Sequence, residues 1–299
     1  MRNSPPGSPT APDARPALAW LRLLVEWGAD EALAESAIDR RLSGPAARSV
    51  PPPPGPIPTA LPAPALGTPA QRAEAAAASC HDLDALQRAM EGFDDFGLRQ
   101  AASHTVRVSL GTRARLIVVG ETADEDEDRS GEPFAGRAGT GLDRMLGAIG
   151  LSRDDCALMA GIAWRPPGGR PPAGVELATC APFLRRRLVL AARQIVARGG
   201  PVAAGHGTGG TDAVRVPALL LGKLPLRLLL ADADVASGPR GAARRLDIDA
   251  GDGVTVDATA LTHPSMLAAQ PRLRRPAWHG LLALRARLDS APDGPITNL

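Results

Sequence analysis

Three stretches of the chain combine residue types that could do chemistry. GETADEDED at residues 120–128 is acidic and follows an apolar run, and GEPFAGRAG at residues 131–139 surrounds Phe134 with glycines. THPS at residues 262–265 places His263 after another apolar run. Carboxylates and histidines serve acid–base chemistry and charge stabilisation, and a ring on a glycine-rich loop can face a flat ligand.

Each stretch also has a structural explanation. Phe134 could fill the core, and a single histidine is more often structural than catalytic. We expect Asp124, Glu125 and Asp126 to belong to a solvated loop.

Composition and charge narrow the class of protein. The chain has 299 residues with 34 basic and 32 acidic side chains, and a net charge of +2 leaves a local nucleic-acid surface open. The three cysteines lie far apart, which predicts no disulfide framework and a reducing interior. No signal-peptide core is present, and no apolar run approaches the ~20 residues of a membrane helix. We expect a soluble, cytoplasmic protein with no membrane partner.

Proline content divides the chain into segments. Residues 1–42 are predicted to be an N-terminal helical segment, because apolar residues recur there at helical spacing. Residues 43–80, rich in proline and alanine, predict an extended linker. Residues 81–290 form the predicted folded domain, 291–299 form a tail, and residues 1–80 are expected to be dispensable for folding.

Helical and strand patterns alternate along the folded part. Helices are predicted at residues 82–93 (capped by Asp82), 141–150, 177–194 and 276–289, and strands at 114–121, 156–164, 194–200 and 257–265. This order predicts an α/β fold, a three-layer sandwich with a central, mainly parallel sheet. The loops after Val119, Ala163 and Thr262 would emerge at the carboxyl ends of strands, where ligands collect in such folds.

A family resemblance joins these stretches. GETADEDEDRSGEPFAGRAGTGLDRMLGAIGLSRDD, WRPPGGRPP, CAPFLRRRL, THPS and AWHGLLALRARL, in this order between residues 83 and 289, resemble the bacterial family 4 uracil-DNA glycosylases. The N-terminal helix and proline linker resemble the extension of alphaproteobacterial members. The resemblance implies a uracil-DNA glycosylase-like domain that hydrolyses the N-glycosidic bond of a flipped-out uracil or other deaminated base in base excision repair. Damaged or single-stranded DNA would be the partner, and we expect a monomer.

The resemblance also assigns roles to residues. His263 would stabilise the leaving base, while Glu121 and Glu127, with the backbone of Thr122, would hold the attacking water. Phe134 would stack on the base, and the substrate pocket would include Phe134, Thr122, Ala160 and Gly120.

Predicted DNA contacts follow the histidine and the WRPP motif. Met266 and Leu267 would form an apolar wedge, Ser265 would bond to backbone, and arginines would bind phosphates. These arginines are Arg272, Arg274, Arg275, Arg165 and Arg170.

The sequence departs from the family at three places. Ala160 stands where members carry an asparagine that reads the uracil edge, and Thr122, Ala123 and Asp124 replace the family's Ala-Pro-Gly turn.

The third departure concerns the family's 4Fe-4S cluster, which uses four cysteines. Phe93, Phe96 and Trp164 occupy three of those positions, and only Cys180 is kept. We therefore expect no cofactor and no metal.

Three functions remain open at this point. The first is a DNA glycosylase, favoured by Phe134 and His263 together. The second is a catalytically impaired DNA-binding relative, favoured by Ala160 and the altered turn. The third is a partner-binding protein that acts through its N-terminal helix.

Overall fold

The computed structural model describes residues 67–200, 214–230 and 244–290. The predicted N-terminal segment, most of the linker and the tail lie outside the described residues. Within the described ranges, no helix is both long and apolar enough to cross a membrane.

One mixed sheet organises the described part of the chain. Its strand order is β1-β3-β2-β4-β6-β5. The strands are β1 (Ser109–Leu110), β2 (Leu116–Val119), β3 (Cys156–Met159), β4 (Val214–Leu221), β5 (Arg244–Gly251) and β6 (Val254–Leu261). Strands β3, β2, β4 and β6 are parallel, and the edge strands β1 and β5 are antiparallel. The predicted α/β class with a mainly parallel sheet is confirmed.

Helices cover both faces of this sheet. They are α1 (Pro69–Ala78), α2 (Leu83–Glu91), α3 (Gly97–Ala101), α4 (Glu125–Ser130), α5 (Gly136–Ala148), α6 (Gly174–Ala197), α7 (Leu224–Leu229), α8 (Pro264–Ala269) and α9 (Arg274–Ser290). Alternation along β2 separates two apolar clusters, because successive side chains point to opposite faces. Ile117 and Val119 pack with α1, α2, α6 and α7, whereas Leu116 and Val118 pack with α5 and α9.

The predicted strand at residues 194–200 is wrong, because α6 continues to Ala197. Leu188, Ala191, Ala192 and Ile195 are all buried and recur at helical spacing. The apolar run that appeared to begin a strand is the last turn of this helical face.

The strand that was missed is β4, between β2 and β6. Its sequence VRVPALLL contains Pro217, which argues against a central strand because proline has no N–H for the ladder. The edge strand β5 alternates exposed and buried residues over part of its length and was also missed.

The linker boundary at residue 80 is also wrong, because α1 occupies residues 69–78. Thr68 caps this helix and Gln71 completes a capping box, after which the sequence is rich in alanine. Ala73 and Ala77 are buried against the core. A deletion that spares the fold must therefore stop before α1.

Candidate functional site

A cavity of about 690 Å³ lies where β2 and β6 end. Its wall comes from the segment after β2, from α5 and from the start of α8. The lining includes Gly120, Glu121, Thr122, Asp124, Glu127, Phe134, Arg137, Thr140, Gly141, Arg144, His263 and Ser265. Seven residues of the predicted site therefore meet in one cavity.

The backbone of Phe134 adopts the left-handed region, with φ of 53°. This conformation is uncommon for a bulky residue and needs support from its surroundings. The N–H of Phe134 donates to Glu127 Oε1 at 2.6 Å, and its carbonyl accepts from Arg153 Nη2 at 2.9 Å. The side chains of Glu127 and Arg153 thus hold both polar backbone groups of the residue that carries the ring.

Glu127 connects two loops through its carboxylate. Besides Phe134, it accepts at Oε2 from the N–H of Asp124 at 2.9 Å. Burial raises the pKa of Glu127 to about 7, although the two backbone hydrogen bonds oppose this shift. Its water-holding role stays a prediction, and its observed contacts position the cavity wall.

Two glycines allow Phe134 to lie close to neighbouring backbone, one beside its ring and one beside its carbonyl group. A Cβ on Gly120 would stand 2.9 Å from Cζ of the ring, and one on Gly139 would stand 1.9 Å from the Phe134 carbonyl oxygen. Side chains at these positions would displace Phe134. The substrate contact of Gly120 stays a prediction, and in the structure the absence of a side chain at Gly120 makes room for the ring.

His263 lies beside Phe134, with the ring planes 18° apart and the centroids 6.4 Å apart. The Nδ1 atom of His263 is 2.7 Å from Ser265 Oγ. Burial lowers the pKa of His263, against the opposing effect of the Glu121 and Asp124 charges. The lowered pKa favours the neutral imidazole at pH 7. Ser265 bonds to this ring, and its predicted DNA contact stays a prediction.

Glu121 and Thr122 follow β2 directly. Glu121 Oε1 accepts from the N–H of Lys223 at 3.0 Å, which ties this turn to the end of β4. Thr122 pairs with Ile162 in an isolated parallel bridge. The turn is thus held by its neighbours, without the proline and second glycine of the family pattern.

The acidic stretch is a short helix, α4, and not the expected solvated loop. Asp124 caps it by accepting from the N–H groups of Asp126 and Glu127, both at 2.9 Å. Acidic residues in a first helical turn interact favourably with the helix dipole. Asp124 also lines the cavity, whereas Glu125 and Asp126 form ion pairs with Arg129.

The cavity lies at the carboxyl ends of parallel strands. It combines the acidic segment after β2 with the histidine after β6. A family model described as the uracil DNA glycosylase superfamily matches residues 109–282, more than half of the chain. The chain belongs to the uracil DNA glycosylase superfamily.

Similar proteins include several type-4 uracil-DNA glycosylases. That of Archaeoglobus fulgidus is 42% identical over 76 residues, covering 25% of this chain and 38% of the relative. That of Thermotoga maritima is 41% identical over 70 residues, covering 23% and 36% respectively. That of Pyrobaculum aerophilum is 30% identical over 119 residues, covering 40% and 61%. The chain thus spans less than two thirds of the length of each of these curated relatives.

Ala160 was predicted to lie in the substrate pocket, at the position where family members read the base edge. In the structure it lies in the core and is 2% exposed. It follows β3 and does not line the cavity in the described structure. Its neighbour Gly161 donates from N–H to the carbonyls of Gly120 at 3.1 Å and Glu121 at 2.8 Å. The loop after β3 therefore supports the cavity from behind.

Arg187 reaches the same loop from α6. It is fully buried and donates from Nη2 to the carbonyl of Gly161 at 3.2 Å. Burial lowers its pKa to about 10. Burying a guanidinium costs desolvation free energy, and the hydrogen bond to the Gly161 carbonyl offsets part of that cost.

The predicted DNA-contact arginines differ in their surroundings. Arg170 forms an ion pair with Glu176, at 2.6 and 2.8 Å, and Arg165 lies 3.4 Å from Glu125. Arg272 and Arg274 are exposed and bond within their own segment, and Arg275 is exposed. Their phosphate contacts stay predictions.

The predicted apolar wedge is divided by the fold. Met266 is 43% exposed, whereas Leu267 is half-buried and packs against the cluster beneath α5 and α9. The wedge stays a prediction, and Met266 is the more exposed of its two residues.

The sequence reasoning missed the cavity face of α5. Arg137, Thr140, Gly141 and Arg144 all line the cavity and recur at helical spacing. The signal was present, because Leu142, Met145 and Leu146 define the buried side of the same helix. The helix begins two residues after Phe134, so its opposite side borders the same cavity as the Phe134 ring.

Aromatic rings fill the region of the implied cluster ligands. Trp164 contacts Phe96 and Phe183 edge to face with centroids 5.5 and 5.7 Å apart, and Phe93 contacts Phe183 at 5.2 Å. Burial raises the pKa of the Cys180 thiol to about 12, so it stays protonated. The described residues contain no group of three or more His, Cys, Asp or Glu side chains placed to hold a metal. These residues do not fit a cluster held by four thiolates.

Proposed function

We propose that the protein is a DNA glycosylase that removes uracil or another deaminated base from damaged or single-stranded DNA. What supports this is the meeting of the Phe134 ring, the His263 imidazole and the Glu121 carboxylate in one cavity. The base would enter the cavity, while the sugar–phosphate chain remains outside. Such enzymes must extrude the base, because its glycosidic bond is inaccessible inside a duplex.

His263 would stabilise the leaving base. When the Ser265 hydroxyl donates to Nδ1, the neutral imidazole keeps its proton on Nε2, and Nε2–H can donate a hydrogen bond to the oxygen of the departing, negatively charged base. The bond from C1′ to the base nitrogen breaks, and its electron pair leaves with the base. A donor directed at developing negative charge is worth about 3–4 kcal/mol in other enzymes.

Glu121 would hold the attacking water. Its Oε1 already accepts from Lys223, which leaves Oε2 for a water beside the Thr122 carbonyl. The water oxygen bonds to C1′ as the base departs, and its proton passes to the carboxylate. Glu127 is engaged through both oxygens, so it would act by positioning the loop that carries Phe134.

A second candidate is a DNA-binding relative with impaired catalysis. What supports it is that position 160, where the family pattern has an asparagine, carries an alanine that does not line the cavity in the described structure, so its side chain cannot read a base edge. The surrounding core leaves this position 2% exposed.

We further propose that the protein acts without an iron–sulfur cluster. The edge-to-face contacts of Trp164, Phe96, Phe93 and Phe183 would stabilise the region that a cluster occupies in the family. The Nε1–H of Trp164 donates to Thr105 Oγ1 at 2.9 Å, so the indole is satisfied in the core.

A panel of oligonucleotides tests the proposed function. Single- and double-stranded DNA containing uracil, hypoxanthine or xanthine would be incubated with the protein, and abasic sites would be detected by alkaline cleavage. We expect cleavage at the deaminated base and none in the unmodified strand. If no substrate gives abasic sites but the protein binds abasic DNA, the second candidate replaces the first.

A further inference from the structure

Two arginines on the cavity wall have no acidic partner among the described residues. Arg137 and Arg144 are exposed on α5 and line the cavity. Nearby arginines are paired: Arg129 with Glu125 and Asp126, and Arg153 with Asp143, the acid that α5 carries. The cavity rim thus presents two guanidinium groups that remain available for a ligand.

The helix sets the spacing of these two cations. Arg137 and Arg144 are seven residues apart, which places them on one face and about 10 Å apart along the axis. Gly141 lies between them, where a Cβ would stand 2.8 Å from Cβ of Pro264. This close approach keeps α5 and the start of α8 together, so the arginines border the segment that carries His263.

Charge within the cavity restricts what these arginines can bind. The wall after β2 carries the carboxyl groups of Glu121, Asp124 and Glu127. An anion would be repelled from that side and attracted to the α5 side. A ligand with an uncharged ring would avoid the repulsion if the ring entered the cavity beside the carboxyl groups. Anionic groups attached to that ring would then lie along α5, where the arginines attract them.

We propose that Arg137 and Arg144 bind the two DNA phosphates that flank the extruded nucleotide. This inference rests on the proposed function and adds the surface that holds the strand. Guanidinium groups bind phosphate oxygens through paired N–H donors, which gives orientation as well as affinity. The contacts fix the register of the strand and carry no base preference.

Salt dependence of binding tests the proposal. A labelled duplex with one tetrahydrofuran abasic analogue would be titrated with the wild type, with Arg137→Gln/Arg144→Gln and with Arg88→Gln/Arg185→Gln. The last pair removes the same charge from exposed positions on α2 and α6, which pack on the other face of the sheet. Loss of two phosphate contacts lowers the slope of log K against log salt by about 1.8.

We expect this lower slope for the Arg137→Gln/Arg144→Gln variant (the α5 pair) and the wild-type slope for the Arg88→Gln/Arg185→Gln variant (the control pair). Equal slopes for all three proteins would overturn the inference while leaving DNA binding intact. If the wild type binds neither this duplex nor its single strand, the proposed function fails as well, so the two failures are distinguishable. Thermal unfolding of each variant confirms that its fold is retained.

A second measurement locates the contact on the DNA. Methylphosphonates on both sides of the abasic analogue remove the two phosphate charges in question. The wild type should then bind about as weakly as the α5 pair binds unmodified DNA, and the α5 pair should lose little more. Additive losses would show that the arginines contact other phosphates and would contradict the assignment.

Discussion

Glu127 Oε1 accepts a 2.6 Å hydrogen bond from the backbone N–H of Phe134. Phe134 is in the left-handed region at φ of 53°, so this bond supports an uncommon conformation. Because burial raises the pKa of Glu127 to about 7, the carboxyl changes charge near neutral pH. Stability and the geometry of the cavity are therefore linked through one side chain.

Glu127→Gln should alter the pH dependence of stability. The unfolded carboxyl ionises near pH 4.5 and the folded one near pH 7, so the folded state binds an extra proton between these values. The free energy of unfolding should then fall as pH rises through this window, by up to about 3 kcal/mol. Urea unfolding from pH 4.5 to 8 should show that the wild-type decrease is absent in the variant. Parallel curves would contradict the assignment.

Gly120→Ala should displace the ring of Phe134. The added Cβ would meet Cζ at 2.9 Å, and such overpacking costs about 1–3 kcal/mol. We expect a lower melting temperature and weaker excision of the base. Gly147→Ala is the matched control: apart from its chain neighbours and the adjacent backbone of its own helix, no atom lies within 4 Å of the added Cβ, and alanine in a helix should stabilise by about 0.5–1 kcal/mol. Equal stability of the two variants would refute the close contact.

The sequence predicted those features that depend on local periodicity. The apolar run at β2, the Asp82 cap and the buried face of α5 were identified because each pattern is continuous along the chain. β4 was missed because Pro217 obscures a strand whose neighbours are far away in sequence. Tertiary pairing, and not local propensity, decides such an element.

The site was predicted in part for the same reason. Phe134 and His263 stand in recognisable motifs, and the fold brings them together. The engagement of Glu127 with Phe134 and of Ser265 with His263 depends on loop conformations that no periodic pattern specifies. Predicting that Arg137 and Arg144 line the cavity would have required knowing which loop lies beside the exposed face of α5.

The purified protein should be colourless and free of iron. Phe93, Phe96 and Trp164 occupy three of the four implied ligand positions, and the remaining Cys180 thiol stays protonated. Iron and acid-labile sulfide would be measured in an anaerobic preparation. Stoichiometric amounts of both would show that a cluster is held by other residues.

Ala160→Asn should destabilise the protein without increasing uracil excision. Position 160 is 2% exposed in the core and does not line the cavity in the described structure, so an amide there would be buried without a matching partner, at a cost of about 1–3 kcal/mol. Urea unfolding would measure this loss, and single-turnover rates on uracil-containing DNA would measure excision. A gain in excision of ~10-fold or more would show that position 160 reaches the base edge and would contradict its placement in the core.

The most direct measurement compares single-turnover excision by the wild type and by His263→Ala on a uracil-containing single strand. The leaving base should lose its hydrogen-bond donor in the variant, so the rate should fall by about 10²–10³-fold while binding to abasic DNA is kept. An excision rate equal to that of the wild type would contradict the assignment of His263 as the group that stabilises the departing base.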